Sequence, residues 1–92
     1  GMANDGITRF VRLRLGYHNG DTSRGLDGMG MAGNNHSIMD HCSVGWTIDE
    51  AFSSRNSWNI TLQRTLISEG LCIADHPNYG SGTDHGYAAT IG

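Results

Sequence analysis

The alternation of apolar and polar residues along this chain has a period of two wherever it is regular. From Ile7 to Leu15, Val11, Leu13 and Leu15 alternate with Arg12 and Arg14, the pattern of a half-buried strand. Ser37 to Val44 reads as a second strand with an unusually polar middle. Trp58 to Ser68, rich in β-branched and aliphatic residues, reads as a third. A short strand is expected at Met29 to Ala32 and a final one at Tyr87 to Ile91. The intervening stretches carry Asn19-Gly20-Asp21, Leu26-Asp27-Gly28 and Gly33-Asn34-Asn35, residue types that make turns.

The second and third strands resemble each other. Setting Asn35-His36-Ser37-Ile38-Met39-Asp40 on Trp58-Asn59-Ile60-Thr61-Leu62-Gln63 gives an offset of 23 residues, within the range of solenoid repeats. The apolar match is imperfect: Met39 falls on Leu62 and Val44 on Ile67, but Ser43 falls on Leu66. A strand that bends midway, with side chains changing sides at the corner, produces this irregularity. Short strands, polar turns and such a repeat predict an all-β solenoid, a parallel β-helix of about three to four coils. The 92 residues form one domain, residues 1–92, read as a partial solenoid.

Composition agrees. Glycine, asparagine and aspartate are abundant (14, 7 and 7), glutamate is scarce (two) and lysine is absent, so the usual material of helix surfaces is missing and long helices are not expected. A net charge of -3 with 16% charged residues leaves no basic surface to dominate nucleic-acid binding, and nucleic acid is not an expected partner. No apolar run approaches the roughly 18 residues of a membrane span, so no membrane association is expected. Gly1-Met2 looks like a tag remnant before a start codon, and nothing after it has the layout of a signal peptide.

The segment from His36 to Leu71, with Asp40-His41-Cys42-Ser43, Trp46 and Asp49-Glu50, resembles the bacterial pectate lyases. Leu26 to Asn35 before it and His85 to Gly92 after it correspond to further segments of that family, so the resemblance covers most of the chain from Ile7 onward. It implies a right-handed parallel β-helix, and β-elimination of pectate or a similar acidic polyuronate with Ca2+ in the cleft. It also implies that the parent protein is secreted or periplasmic. A normal member of the family is several times longer, so the chain is expected to be a fragment.

That chemistry suits the residue types. Eliminating across a uronic acid removes a weakly acidic proton beside a carboxylate, and a cation on that carboxylate stabilises the developing charge. Calcium takes oxygen ligands, chiefly from Asp and Glu. By the resemblance these ligands correspond to Asp27 and Asp49, with Glu50 as neighbour or substitute; an extended strand would point only one of Asp49 and Glu50 into the cleft, and Asp49 is favoured. His85 and Tyr87 stand where the family contacts substrate, Tyr87 occupying a position commonly held by a lysine. The family's catalytic base is an arginine expected beyond Gly92, so no catalytic residue is assigned in this chain.

Each of these residues also has a structural reading. Asp27 in Leu-Asp-Gly suits a turn, Asp40 suits a buried carboxylate paired with arginine or backbone, and His41 suits a packed structural residue. Trp46 and Trp58 are either sugar platforms or packing residues. The histidines and Cys42 and Cys72 offer no paired metal-ligand spacing, and a Cys42–Cys72 disulfide stays open. The rival to an enzyme is a non-catalytic, polysaccharide-binding or self-assembling β-helix fragment. Open solenoid ends expose strand edges, which predicts a homo-oligomer formed through those ends.

Overall fold

The computed structural model describes residues 2–16, 27–74, 76, 78–80 and 82–92. The turn expected at Asn19-Gly20-Asp21 lies outside these residues. Nine short strands occur among the described residues and no helix: β1 (Ile7–Arg9), β2 (Arg12–Arg14), β3 (Met29–Gly30), β4 (Asn35–Asp40), β5 (Ser43–Gly45), β6 (Phe52–Ser53), β7 (Trp58–Gln63), β8 (Leu66–Ser68) and β9 (Ala89–Thr90). They form three parallel three-stranded sheets, β1-β4-β7, β2-β5-β8 and β3-β6-β9. Each successive trio of strands is one coil, so the chain is a parallel β-helix of three coils.

The offset of 23 is the true register between the second and third coils, with Asn35 against Trp58, Met39 against Leu62 and Val44 against Ile67. Each of the three longer strands expected from the alternation is in fact two strands around a corner: at Phe10-Val11, His41-Cys42 and Thr65 with Arg64. The corner residues Phe10, His41 and Arg64 all have positive φ (57°, 50° and 45°), which turns the chain sharply within two residues. The turn also resets the side-chain phase. Met39 points into the core before it, and Cys42 and Val44 point in after it, so Ser43 and Leu66 face outward and the imperfect repeat is explained.

The same device recurs. Asp5, His36 and Asn59 form a second column of positive-φ residues, where Asn59 Nδ2 donates to Asn35 Oδ1 at 2.8 Å and lies 3.2 Å from His36 Nε2. Strand β6 was not anticipated; two residues are too few to show a period.

The core belongs to the middle coil. Met31, Met39, Cys42, Val44, Ala51 and Phe52 are buried in one cluster, and Leu13, Met29, Ile60 and Ile67 pack on it from the coils on either side. Leu13, Val44 and Ile67 form one stacked column. Asp40 is buried at the corner, its Oδ2 accepting from Arg9 Nε at 2.9 Å and its Oδ1 lying 2.8 Å from His41 Nδ1. Burial alone would raise its carboxyl, but the hydrogen bonds and charges of His41 and Arg9 outweigh that and hold it below the usual carboxylate range. Cys42 is buried, Cys72 is exposed, and they are not bonded to each other.

Loop length is concentrated at one corner. Connections from the first to the second sheet are two residues in every coil, and those from the third sheet to the next coil are residues 31–34 and 54–57. Connections from the second sheet to the third instead span residues 15–28, 46–51 and 69–88.

Candidate functional site

Described residues of the three unequal connections meet at one polar pocket of about 330 Å3, lined by Asp27, Asp49, Glu50, Ser53, Arg55, His76, Asn78, Tyr79, His85 and Tyr87. The first connection supplies Asp27, the second Asp49 and Glu50, and the third His76, Asn78, Tyr79, His85 and Tyr87. Register explains part of this set. Met29, Phe52 and Ala89 pair across the third sheet, so Asp27, Glu50 and Tyr87, each two residues earlier, hold equivalent positions in successive coils. Tyr87 thus ends a column that begins with two acids.

Two glycines let the backbones approach closely here. A Cβ on Gly28 would lie 2.6 Å from the Ala51 carbonyl oxygen, where neither backbone can yield. Gly86, between His85 and Tyr87, has φ +96°, and a Cβ there would lie 2.6 Å from the Leu71 carbonyl oxygen.

The expectation that only one of Asp49 and Glu50 faces the cleft does not hold. Residues 46–51 are a bent connection rather than a strand, and carboxylate oxygens of Asp27, Asp49 and Glu50 lie within 4.8 Å of one another. Two oxygens on one calcium ion, at 2.3–2.6 Å each, cannot be more than about 5 Å apart. The three carboxylates therefore meet the spacing that sharing a hard divalent cation requires. Glu50 is held at its other face by Thr90, whose Oγ1 donates to Oε1 at 2.7 Å.

The two aspartates are tuned in opposite directions. Burial, then the charges of Glu50 and Asp49, raise the carboxyl of Asp27, and Arg55 offsets this in part. Burial also works against ionised Asp49, but hydrogen bonding with Glu50 and with His76 and His85 prevails and holds its carboxyl low. His76 Nε2 lies 2.9 Å from Asp49 Oδ2, and His85 Nε2 lies 2.9 Å from Asp49 Oδ1.

Of the residues singled out from sequence, Asp27, Asp49, Glu50, His85 and Tyr87 all come together here. Asp40 and His41 lie at the far corner, in the structural roles described above. Trp46 and Trp58 are exposed, and Trp46 Nε1 donates to Glu69 Oε2 at 2.9 Å. Sequence reasoning missed His76, Tyr79 and Arg55 as site residues. His76 and His85 meet only because the third connection folds back on the second coil, a proximity that no ligand spacing encodes.

A three-coil parallel β-helix with an acidic pocket at its one variable corner is the class these observations define. Over 70 residues, 75% of its length, the chain is 46% identical to a probable pectate lyase C of Neosartorya fischeri and 44% identical to those of Aspergillus fumigatus and Emericella nidulans. The chain belongs, as a segment, to the family of these pectate lyases. It spans 16% of the length of each of these relatives. No family model and no solved structure matches it.

Proposed function

We propose that this chain forms the cation-binding wall of a pectate lyase-type cleft and serves the calcium-assisted β-elimination of an acidic polysaccharide such as pectate. The observation that carries this reading is the trio Asp27, Asp49 and Glu50, with oxygens within 4.8 Å of one another, in a chain of this family. Elimination breaks a C–O bond as a C=C bond forms, after loss of the proton next to the uronate carboxylate. Calcium held by the three carboxylates would neutralise that uronate carboxylate and lower the barrier to losing the proton.

The chain's own residues bind and orient. Asp27, Asp49 and Glu50 hold the cation. Arg55, the one arginine among the described residues that lines the pocket, pairs with a second uronate carboxylate. Tyr87 and Tyr79, both exposed at the rim, offer ring faces to sugar C–H groups, and His85 supports Tyr87 from behind at 4.9 Å between ring centroids. The proton-abstracting arginine is assigned, through the resemblance, to sequence beyond Gly92. The parent protein accordingly works outside the cytoplasm, where such polysaccharides lie.

Calorimetric titration of Ca2+ into the wild type and Asp27→Ala tests the reading. Saturable binding that Asp27→Ala weakens is expected; equal affinities, or no binding by the wild type, would remove calcium from the site. Polygalacturonate supplied with Ca2+ should be bound, with no rise in the ultraviolet absorbance of an unsaturated product; turnover by this chain alone would show that its catalytic set is complete.

The outer edges of β1 and β2 and of β7, β8 and β9 pair with no strand among the described residues, and the outer edge of β3 receives only the Met2 N–H, which donates to the Gly30 carbonyl oxygen at 2.9 Å. Ile7 (69% exposed), Trp58 (65%) and Leu66 (60%) stand beside them. The isolated chain is expected to self-associate end to end through these edges. Sedimentation should give a mass that rises with micromolar concentration; a constant monomer mass would refute this.

A further inference from the structure

Two buried histidines lie against the same aspartate, and the cation-site reading gives neither a task at that aspartate. The side chains of His76 and His85 are only 4% and 8% exposed, and each ring nitrogen so enclosed requires a partner. Both find it in Asp49, on different oxygens, at 2.9 Å each. At His76 the proton can be placed. The Asn78 backbone N–H donates to His76 Nδ1 at 3.1 Å, so Nδ1 is the acceptor and Nε2 carries the hydrogen directed at Asp49. Ring packing fixes both imidazoles. Their centroids are 4.6 Å apart, Tyr79 lies 4.9 Å from His76 and 4.3 Å from His85, and Tyr87 closes the stack.

We propose that His76 and His85 are positioning residues that grip Asp49 through two Nε2–H donors, one on each carboxylate oxygen, and present its remaining lone pairs to a divalent cation shared with Asp27 and Glu50. A carboxylate offers about four lone-pair sites, so two hydrogen bonds leave both oxygens able to ligate. The grip crosses coils, because the third connection, residues 69–88, fixes a ligand that belongs to the second. It also opposes the crowding of three carboxylates, which would otherwise drive Asp49 away from Asp27 and Glu50.

The same three residues, Asp49, His76 and His85, have donor atoms within 4.8 Å and invite comparison with a transition-metal site. The geometry favours the grip. A metal on His76 Nε2 would move the ring hydrogen to Nδ1, against the Asn78 N–H, donor facing donor. Metal-bound histidines instead direct that second N–H to an acceptor. The two imidazoles also address separate oxygens of Asp49.

The proposal rests on the cation site described above, and the experiment separates the two. In metal-free protein, long-range 1H–15N spectra of the histidine side chains should show hydrogen on Nε2 of both rings and none on Nδ1 of His76. A ring lacking Nε2–H, or a protonated Nδ1 at His76, would overturn the grip whatever calcium does. In calcium titrations, His76→Leu and His85→Leu should each bind about 10- to 100-fold more weakly, the usual effect of removing a partner of a ligand. Gln, whose amide nitrogen sits near the position of Nε2, should restore part of the loss in each.

Unchanged affinity in folded Leu variants, with Asp27→Ala still impaired, would refute the grip and leave the cation site standing. No calcium binding by the wild type would remove the cation site and with it the positioning role. If His76→Leu fails to fold, the His85 variants and His76→Gln carry the comparison. Zinc bound more tightly than calcium, and lost in both Gln variants, would make the trio a transition-metal site and overturn the proposal.

Discussion

At the residue scale, Asp27 and Asp49 show how one pocket treats like groups differently. Asp27 is partly buried beside two acidic neighbours, so its carboxyl is raised from 3.8. The folded state therefore favours its protonated form. That stabilisation is full below the unfolded value and is lost as pH rises through the raised one. Asp49 and Asp40, both held low, act oppositely, stabilising above about 3.8 and failing as pH falls through their depressed folded values. Asp27→Asn should thus raise the thermal midpoint of metal-free protein at pH 7 by on the order of a few degrees, since removing one of three crowded charges is worth only a fraction of a kcal/mol to about 1 kcal/mol. It should also reduce the gain conferred by calcium. Differential scanning fluorimetry in chelator and in Ca2+ measures both. The acidic part of this site was legible in sequence because the family resemblance aligned Asp27, Asp49 and Glu50. The buried donors were not, because His76 and His85 acquire their meaning only from a bent connection that returns to Asp49.

At the scale of elements, the corners decide the fold. A non-glycine residue with positive φ is uncommon, and here such residues stack in columns, Phe10 over His41 over Arg64 and Asp5 over His36 over Asn59. Phe10 and His41 pack ring on ring at 5.3 Å, and Arg9 lies over the Phe10 ring at 4.9 Å. The stacking offsets the backbone cost. His41→Val should cost about 1–2 kcal/mol in urea unfolding, because a β-branched residue fits this conformation worst. His41→Asn should cost clearly less, Asn tolerating the conformation well. Equal losses would mean that the ring contact with Phe10 and Asp40, not the backbone, dominates. The repeat was readable from Met39 with Leu62 and Val44 with Ile67. That the strands bend was readable from Ser43 falling on Leu66, but the residues that make the corner were not, because the turn rests on the positive φ of Phe10, His41 and Arg64, residue types that do not announce one. Strands of two residues, such as β6, are shorter than any period that could announce them.

At the scale of the molecule, stability is concentrated in the middle coil. Phe52, Met31, Met39, Ile48 and Val44 are fully buried, whereas β7 of the third coil is largely exposed. A small domain has a total stability of roughly 5–15 kcal/mol, and truncating a buried Phe costs about 3–5 kcal/mol. Phe52→Ala should therefore lose most of the cooperative unfolding transition followed by circular dichroism. Leu66→Ala, on the exposed margin, should shift it little. Comparable losses would place the core elsewhere.

The confinement of unequal loop length to one corner has a consequence for inheritance and engineering. Insertions and deletions there leave the pairing of all three sheets in register, so the solenoid gains or loses residues without a frameshift in its stacking. The corner behaves as an interchangeable cassette. A longer or shorter connection taken from a relative could be spliced between β8 and β9 to change what the pocket accepts, while the ladder of coils beneath it stays as it was.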